Sequence, residues 1–153
     1  MQVEREIPDK YIRNYGSERT DYIGFNDYLE IFKASYDIPS LLVKLLHFND
    51  EFPENKNILY CKKTLALVKI DNQYLYKSMN ILLEDLVKDK CTMMSKFARE
   101  NKDAICEKIG SEAYESTCKM LLQLSLENKP KNQYKRQTNL IADMILNTKK
   151  IKV

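Results

Sequence analysis

A chain of 153 residues is long enough to bury roughly 70% of the surface its unfolded form exposes, so one domain can fold without staples. With 44% hydrophobic residues, 31% charged residues and only 3 Gly and 4 Pro, it is too apolar and too poor in breakers to be disordered. No run approaches the roughly 18 consecutive apolar residues of a membrane helix, and Met1 to Glu6 lacks the basic-then-apolar layout of a signal peptide, so no membrane association and a place in the cytosol or nucleus are expected.

The first residues, to about Tyr22, mix Pro8, Gly16 and charges without a period and predict a loosely structured segment, loop or short extended piece. Asn26 is the expected N-cap of a first amphipathic helix carrying Phe25, Tyr28, Leu29, Phe32 and Tyr36. Asp37 and Pro39 open a second helix, in which Ile38, Leu41, Leu42, Leu45 and Leu46 form a stripe that ends near His47. A polar loop follows. Ile58 to Cys61, Thr64 to Ile70 and Gln73 to Tyr76, with Asp71-Asn72 as a turn, predict a small antiparallel meander.

From Ser78, a candidate N-cap, the pattern becomes helical to about Arg99, with Met79, Leu83, Leu86, Lys90, Met93 and Phe97 at alternating spacings of 4 and 3. Three more helices are expected at about Lys102 to Ile109, Glu112 to Glu127 and Lys131 to Thr148. Gly110 separates the first two and Pro130 opens the last. The fold class is therefore α+β and mainly helical, a single domain over 1–153: an N-terminal helix pair, a β-meander and a C-terminal helical bundle.

The residues that carry chemistry are sparse. A single histidine, His47, excludes mechanisms needing two imidazoles. Gly16, Gly24 and Gly110 are too scattered to cradle a phosphate, and no nucleotide-binding motif occurs. Cys61, Cys91, Cys106 and Cys118 form no C-x-x-C pair, so they are read as reduced, largely buried thiols. No catalytic residue, metal or cofactor is expected.

Charge is uneven. Net charge is +3, but the segment from Lys129 to Val153 holds seven basic residues and one acid, giving +6 against −3 for the remainder. Within this basic C-terminal helix Lys129, Lys131, Lys135 and Arg136 can neutralise phosphates and Tyr134 can stack, which makes DNA or RNA an alternative partner. The first expectation is a homo-oligomer or protein partner, engaged through the Met79, Leu83, Leu86, Met93 and Phe97 seam.

The most distinctive string runs His47-Phe48-Asn49-Asp50-Glu51-Phe52-Pro53-Glu54-Asn55-Lys56-Asn57-Ile58. Physically, His47 sits where a helix ends and a partial positive charge is favoured, and Asn49 can take a left-handed conformation. Asn55 and Asn57 can close turns, while Phe48 and Phe52 anchor the loop. The string resembles an H-F-N…P-E-N-x-N-[IV] pattern found in uncharacterised proteins of large nucleocytoplasmic DNA viruses, mimivirus relatives included. The resemblance runs from about Asn14-Tyr15-Gly16 to Lys90, with Pro53, Glu54, Asn55 and Asn57 in its second half.

Many members of that family carry a zinc finger upstream, which implies an association with nucleic acid. This chain departs from them in having no cysteine before Cys61, which leaves an interaction or dimerisation domain as the implied role. The resemblance implies a viral protein of the host cytoplasm or viral factory, with nucleus or virion as alternatives. A metal-dependent nuclease is the remotest reading, because His47 precedes a long loop and the later helix offers only Asn80 and acids.

Overall fold

The computed structural model describes residues 2–3, 7–126, 130–148 and 151–152. In chain order they form β1 (Gln2–Val3), a 3-10 turn (Asp9–Tyr11), α1 (Phe25–Phe32), a second 3-10 turn (Ser35–Asp37) and α2 (Ile38–His47). A third 3-10 turn (Pro53–Asn55) leads to β2 (Ile58–Lys62), β3 (Leu65–Ile70) and β4 (Gln73–Ser78). Then come α3 (Met79–Glu100), α4 (Lys102–Ile109), α5 (Ser111–Ser125), α6 (Lys131–Leu146) and β5 (Ile151–Lys152). The architecture is α+β and mainly helical, with β2-β3-β4 as an antiparallel meander and β1 paired to β5.

α3 is the spine. It packs against α1, α2, α4, α5 and α6. Leu82, Leu86, Val87, Cys91 and Met94 on it are fully buried, and facing elements add Phe32, Ile38, Leu42, Leu121, Leu124, Ile141 and Ile145. Each such aliphatic side chain removed from water contributes about 1.5–3 kcal/mol. The meander docks one face on this core through Ile58, Ala66 and Val68. Its other face carries Leu59, Leu67 and Lys69, all buried, and the backbone at Asp9 and Ile12 reaches it to take the Lys69 ammonium.

Local chemistry accounts for the boundaries. The β3–β4 turn places Asp71 at φ 51° and Asn72 at φ 65°, the pair of left-handed residues that a tight type I′ hairpin requires. Gly110 at φ 88° separates α4 from α5, in a backbone region L side chains rarely adopt. α1 starts two residues earlier than an N-cap at Asn26 implies: Gly24 is the N-cap and its N–H donates to the Asp27 carboxylate at 2.9 Å. Ser78 is the N-cap of α3, but its hydroxyl makes no capping bond, and the Met79 N–H donates instead to Thr64 O at 2.9 Å across the hairpin. α6 stops at Leu146, two residues short of expectation. Thr148 Oγ1 then accepts from the Tyr60 N–H at 2.7 Å, which ties the helix end to β2.

No described helix is long and apolar enough to cross a membrane.

Candidate functional site

Three polar residues of the His47–Ile58 string point inward, while Asp50 and Glu51 are exposed. His47, Asn55 and Asn57 are all 0% exposed. α2 delivers His47 on its last turn, and the 3-10 turn at Pro53–Asn55 swings the two asparagines beneath the N-terminal segment. Asn57 Nδ2 donates to Glu18 Oε2 at 2.7 Å and to Arg13 O at 3.1 Å, both obligate acceptors. Its Oδ1 must therefore face His47 Nδ1, 3.0 Å away, so Nδ1 carries the proton and Nε2 presents a lone pair. Lys90 Nζ, on α3, donates to that Nε2 at 3.0 Å.

This geometry allows one positive charge. Burial, reinforced by the neighbouring Lys90 ammonium, pushes the His47 pKa well below the usual histidine range, against the opposing hydrogen bond to Asn57. Burial also lowers the pKa of Lys90, which is 4% exposed, while Glu18 and Asp89 act in the other direction. Tyr15 stacks on the imidazole with centroids 5.9 Å apart, and its hydroxyl lies 3.2 Å from Asp89 Oδ2. Burial, then Asp89, raises the Tyr15 pKa.

Asn55 works differently. Its amide pairs both ways with the Arg19 backbone, accepting from N–H at 2.8 Å and donating to O at 2.7 Å. Tyr22 stacks on Phe52 with centroids 3.6 Å apart, and its hydroxyl donates to Leu45 O near the end of α2. Together Asn55, Asn57 and Lys69 stitch the irregular segment 9–22 onto the domain.

Two concavities flank the string. One, of about 720 Å³, is bordered by Lys90 together with Glu18, Phe25, Tyr28, Met93, Lys96 and Phe97. The other, of about 1000 Å³, lies between α2, the loop and α6, with Phe48, Ile58, Leu140 and Met144 among its apolar walls.

A third feature is the outer edge of β4. The two-residue turn and the register Ile70↔Gln73, Val68↔Leu75 and Ala66↔Lys77 direct the main-chain groups of Gln73, Leu75 and Lys77 toward β3, so those of Tyr74, Tyr76 and Ser78 point outward. Among the described residues no strand pairs with that edge. On that strand Tyr76 is 63% exposed and Leu75 40%.

No family model, no curated protein and no solved structure matches this chain.

Several expected site residues sit elsewhere in the physical scheme. Met79, Leu83, Leu86 and Phe97 are buried in the domain's own core and Met93 packs against it. The seam is thus an internal contact of α3, because a 22-residue helix surrounded by five others spends its apolar face within the chain. The basic patch is also dispersed. Lys131 and Lys135 are exposed on α6, Arg136 is paired with Asp37 at 3.1 Å, and Tyr134 is half-buried against the core; Lys129 lies outside the described residues.

Within the string, Asn49 is not left-handed; its Oδ1 accepts from the Glu51 N–H at 3.0 Å. His47 is held neutral rather than serving as a positive helix terminus, and Asn55 and Asn57 bridge to distant backbone instead of closing local turns. Phe48 packs against the core, Pro53 and Glu54 form the 3-10 turn, and Glu54 accepts from Arg19 Nη1 at 3.2 Å. Sequence reasoning missed Lys90 as a site residue. The available signal was a lysine on an otherwise apolar helical stripe.

Proposed function

We propose that this chain is a non-enzymatic interaction module that self-associates by pairing the outer edge of β4 with the same edge of a second copy. The observation that carries the reading is that, among the described residues, no strand pairs with that edge. Exposed edge strands are usually blunted by a proline, a bulge or an outward lysine. β4 contains no proline and pairs with β3 in unbroken register. Its one lysine, Lys77, is drawn away to Asp85 Oδ2 at 2.7 Å and lies over the Tyr15 ring at 5.3 Å.

A twofold axis at Tyr76 sets the outward N–H and C=O of Tyr76 against those of its own copy and brings the two rings side by side. Such aromatic cross-strand pairs add to the ladder. The result is a continuous six-stranded sheet.

Sedimentation velocity across micromolar concentrations tests this: the expected result is a reversible dimer that Tyr76→Lys converts to monomer. Tyr76→Pro is a second probe, because it removes an N–H that points away from β3 and spares the hairpin ladder. A wild-type chain that stays monomeric throughout, or a dimer indifferent to both substitutions, refutes the reading.

A further inference from the structure

The His47 cluster has the layout of an activated nucleophile. An amine lies within hydrogen-bond reach of an imidazole, and a third group fixes the ring: Lys90 Nζ is 3.0 Å from Nε2, and Asn57 Oδ1 is 3.0 Å from Nδ1. Because Nδ1 holds the proton, Nε2 can only accept, and Lys90 is the donor in their bond. That bond uses one N–H of Lys90, and among the described residues its ammonium makes no other hydrogen bond. The same side chain borders the 720 Å³ cleft, where Phe25, Tyr28, Met93 and Phe97 provide an apolar and aromatic lining.

We propose that Lys90 is a reactive amine that captures a small aldehyde or ketone with an apolar or aromatic body in this cleft, with His47 as proton acceptor. The amine lone pair forms the N–C bond while the carbonyl π pair moves to oxygen. The cationic nitrogen then sheds a proton to His47 Nε2. Both N–H protons end on the departing oxygen, one of them through His47, so water leaves as the imine forms. Exposed lysines are almost wholly protonated at neutral pH and lack a lone pair, whereas burial, against the pull of Glu18 and Asp89, lowers the Lys90 pKa and so raises its share of neutral amine. This site is separate from the β4 edge and does not rest on self-association.

The intact chain serves for the test. Benzaldehyde and cyanoborohydride at neutral pH, followed by digestion and mass spectrometry, report the benzyl label at each of the 20 lysines. Lys90 is expected to label about tenfold faster than Lys96, an exposed lysine on the same cleft, and the preference is expected to vanish in the urea-unfolded chain. Labelling of Lys90 no faster than of Lys96 overturns the proposal. A preference that survives unfolding overturns it too, since it would then come from local sequence and not from the cleft and His47.

Discussion

Acid should destabilise this protein through His47, and the size of its contribution follows from its environment. His47 is the only histidine, is 0% exposed and has a pKa well below its ordinary 6.5. The groups facing it or its Lys90 partner are Asn57, Tyr15, Glu18 and Asp89. As pH falls below about 6.5 the unfolded chain takes up a proton on this ring and the folded chain does not. The His47 contribution to stability is therefore complete above the unfolded value and declines below it, at up to about 1.4 kcal/mol per pH unit, until the folded ring itself protonates.

Between pH 7.5 and 5.0 the integrated loss reaches at most about 2 kcal/mol, the limit in which the folded ring takes up no proton, a sizeable part of the roughly 5–15 kcal/mol of an ordinary domain. Model carboxylates titrate mostly below this window. Urea unfolding at the two pH values measures the loss, and the single histidine ring signal in an NMR titration measures its cause. A folded-state ring that titrates near 6.5, or a stability that does not change across the window, refutes the reasoning.

The string itself offers an internal comparison. Asn57→Ala takes the side-chain acceptor from the buried His47 Nδ1 proton and a donor from both Glu18 and Arg13 O, and should cost about 3 kcal/mol or more, whereas Asn49→Ala loses one near-surface turn contact and should cost at most about 1 kcal/mol; urea unfolding of both variants checks the contrast. Ser35 holds φ 54°, so Ser35→Gly should relieve left-handed strain and stabilise by about 0.5–1 kcal/mol, read as a raised Tm.

Periodicity made the helices legible because their apolar spacing needs no partner to be seen. Ile38, Leu42 and Leu46 mark α2, and Gln137, Ile141 and Ile145 mark the inner face of α6, all as the structure has them. The hairpin was equally local, written in Asp71-Asn72. What periodicity does not carry is which body an apolar face will meet. The stripe on α3 is the same whether it meets α2 and α5 or a second molecule. The His47 cluster was illegible for a related reason: its partners stand 43 residues away at Lys90 and 39 residues from Asn57 at Glu18, and no local spacing links them. The β4 edge likewise depends on sheet order, which alternation within one strand does not reveal.

The way the N-terminal segment is held sets how its sequence can change. Asn55, Asn57 and Lys69 grip it largely through peptide groups, at Arg13 O, at the N–H and O of Arg19 and at Ile12 O, which most residue types supply alike. Much of that segment is thus held as anonymous backbone. Drift in its exposed side chains is tolerated so long as the chain path is kept, while the three residues doing the gripping have little latitude.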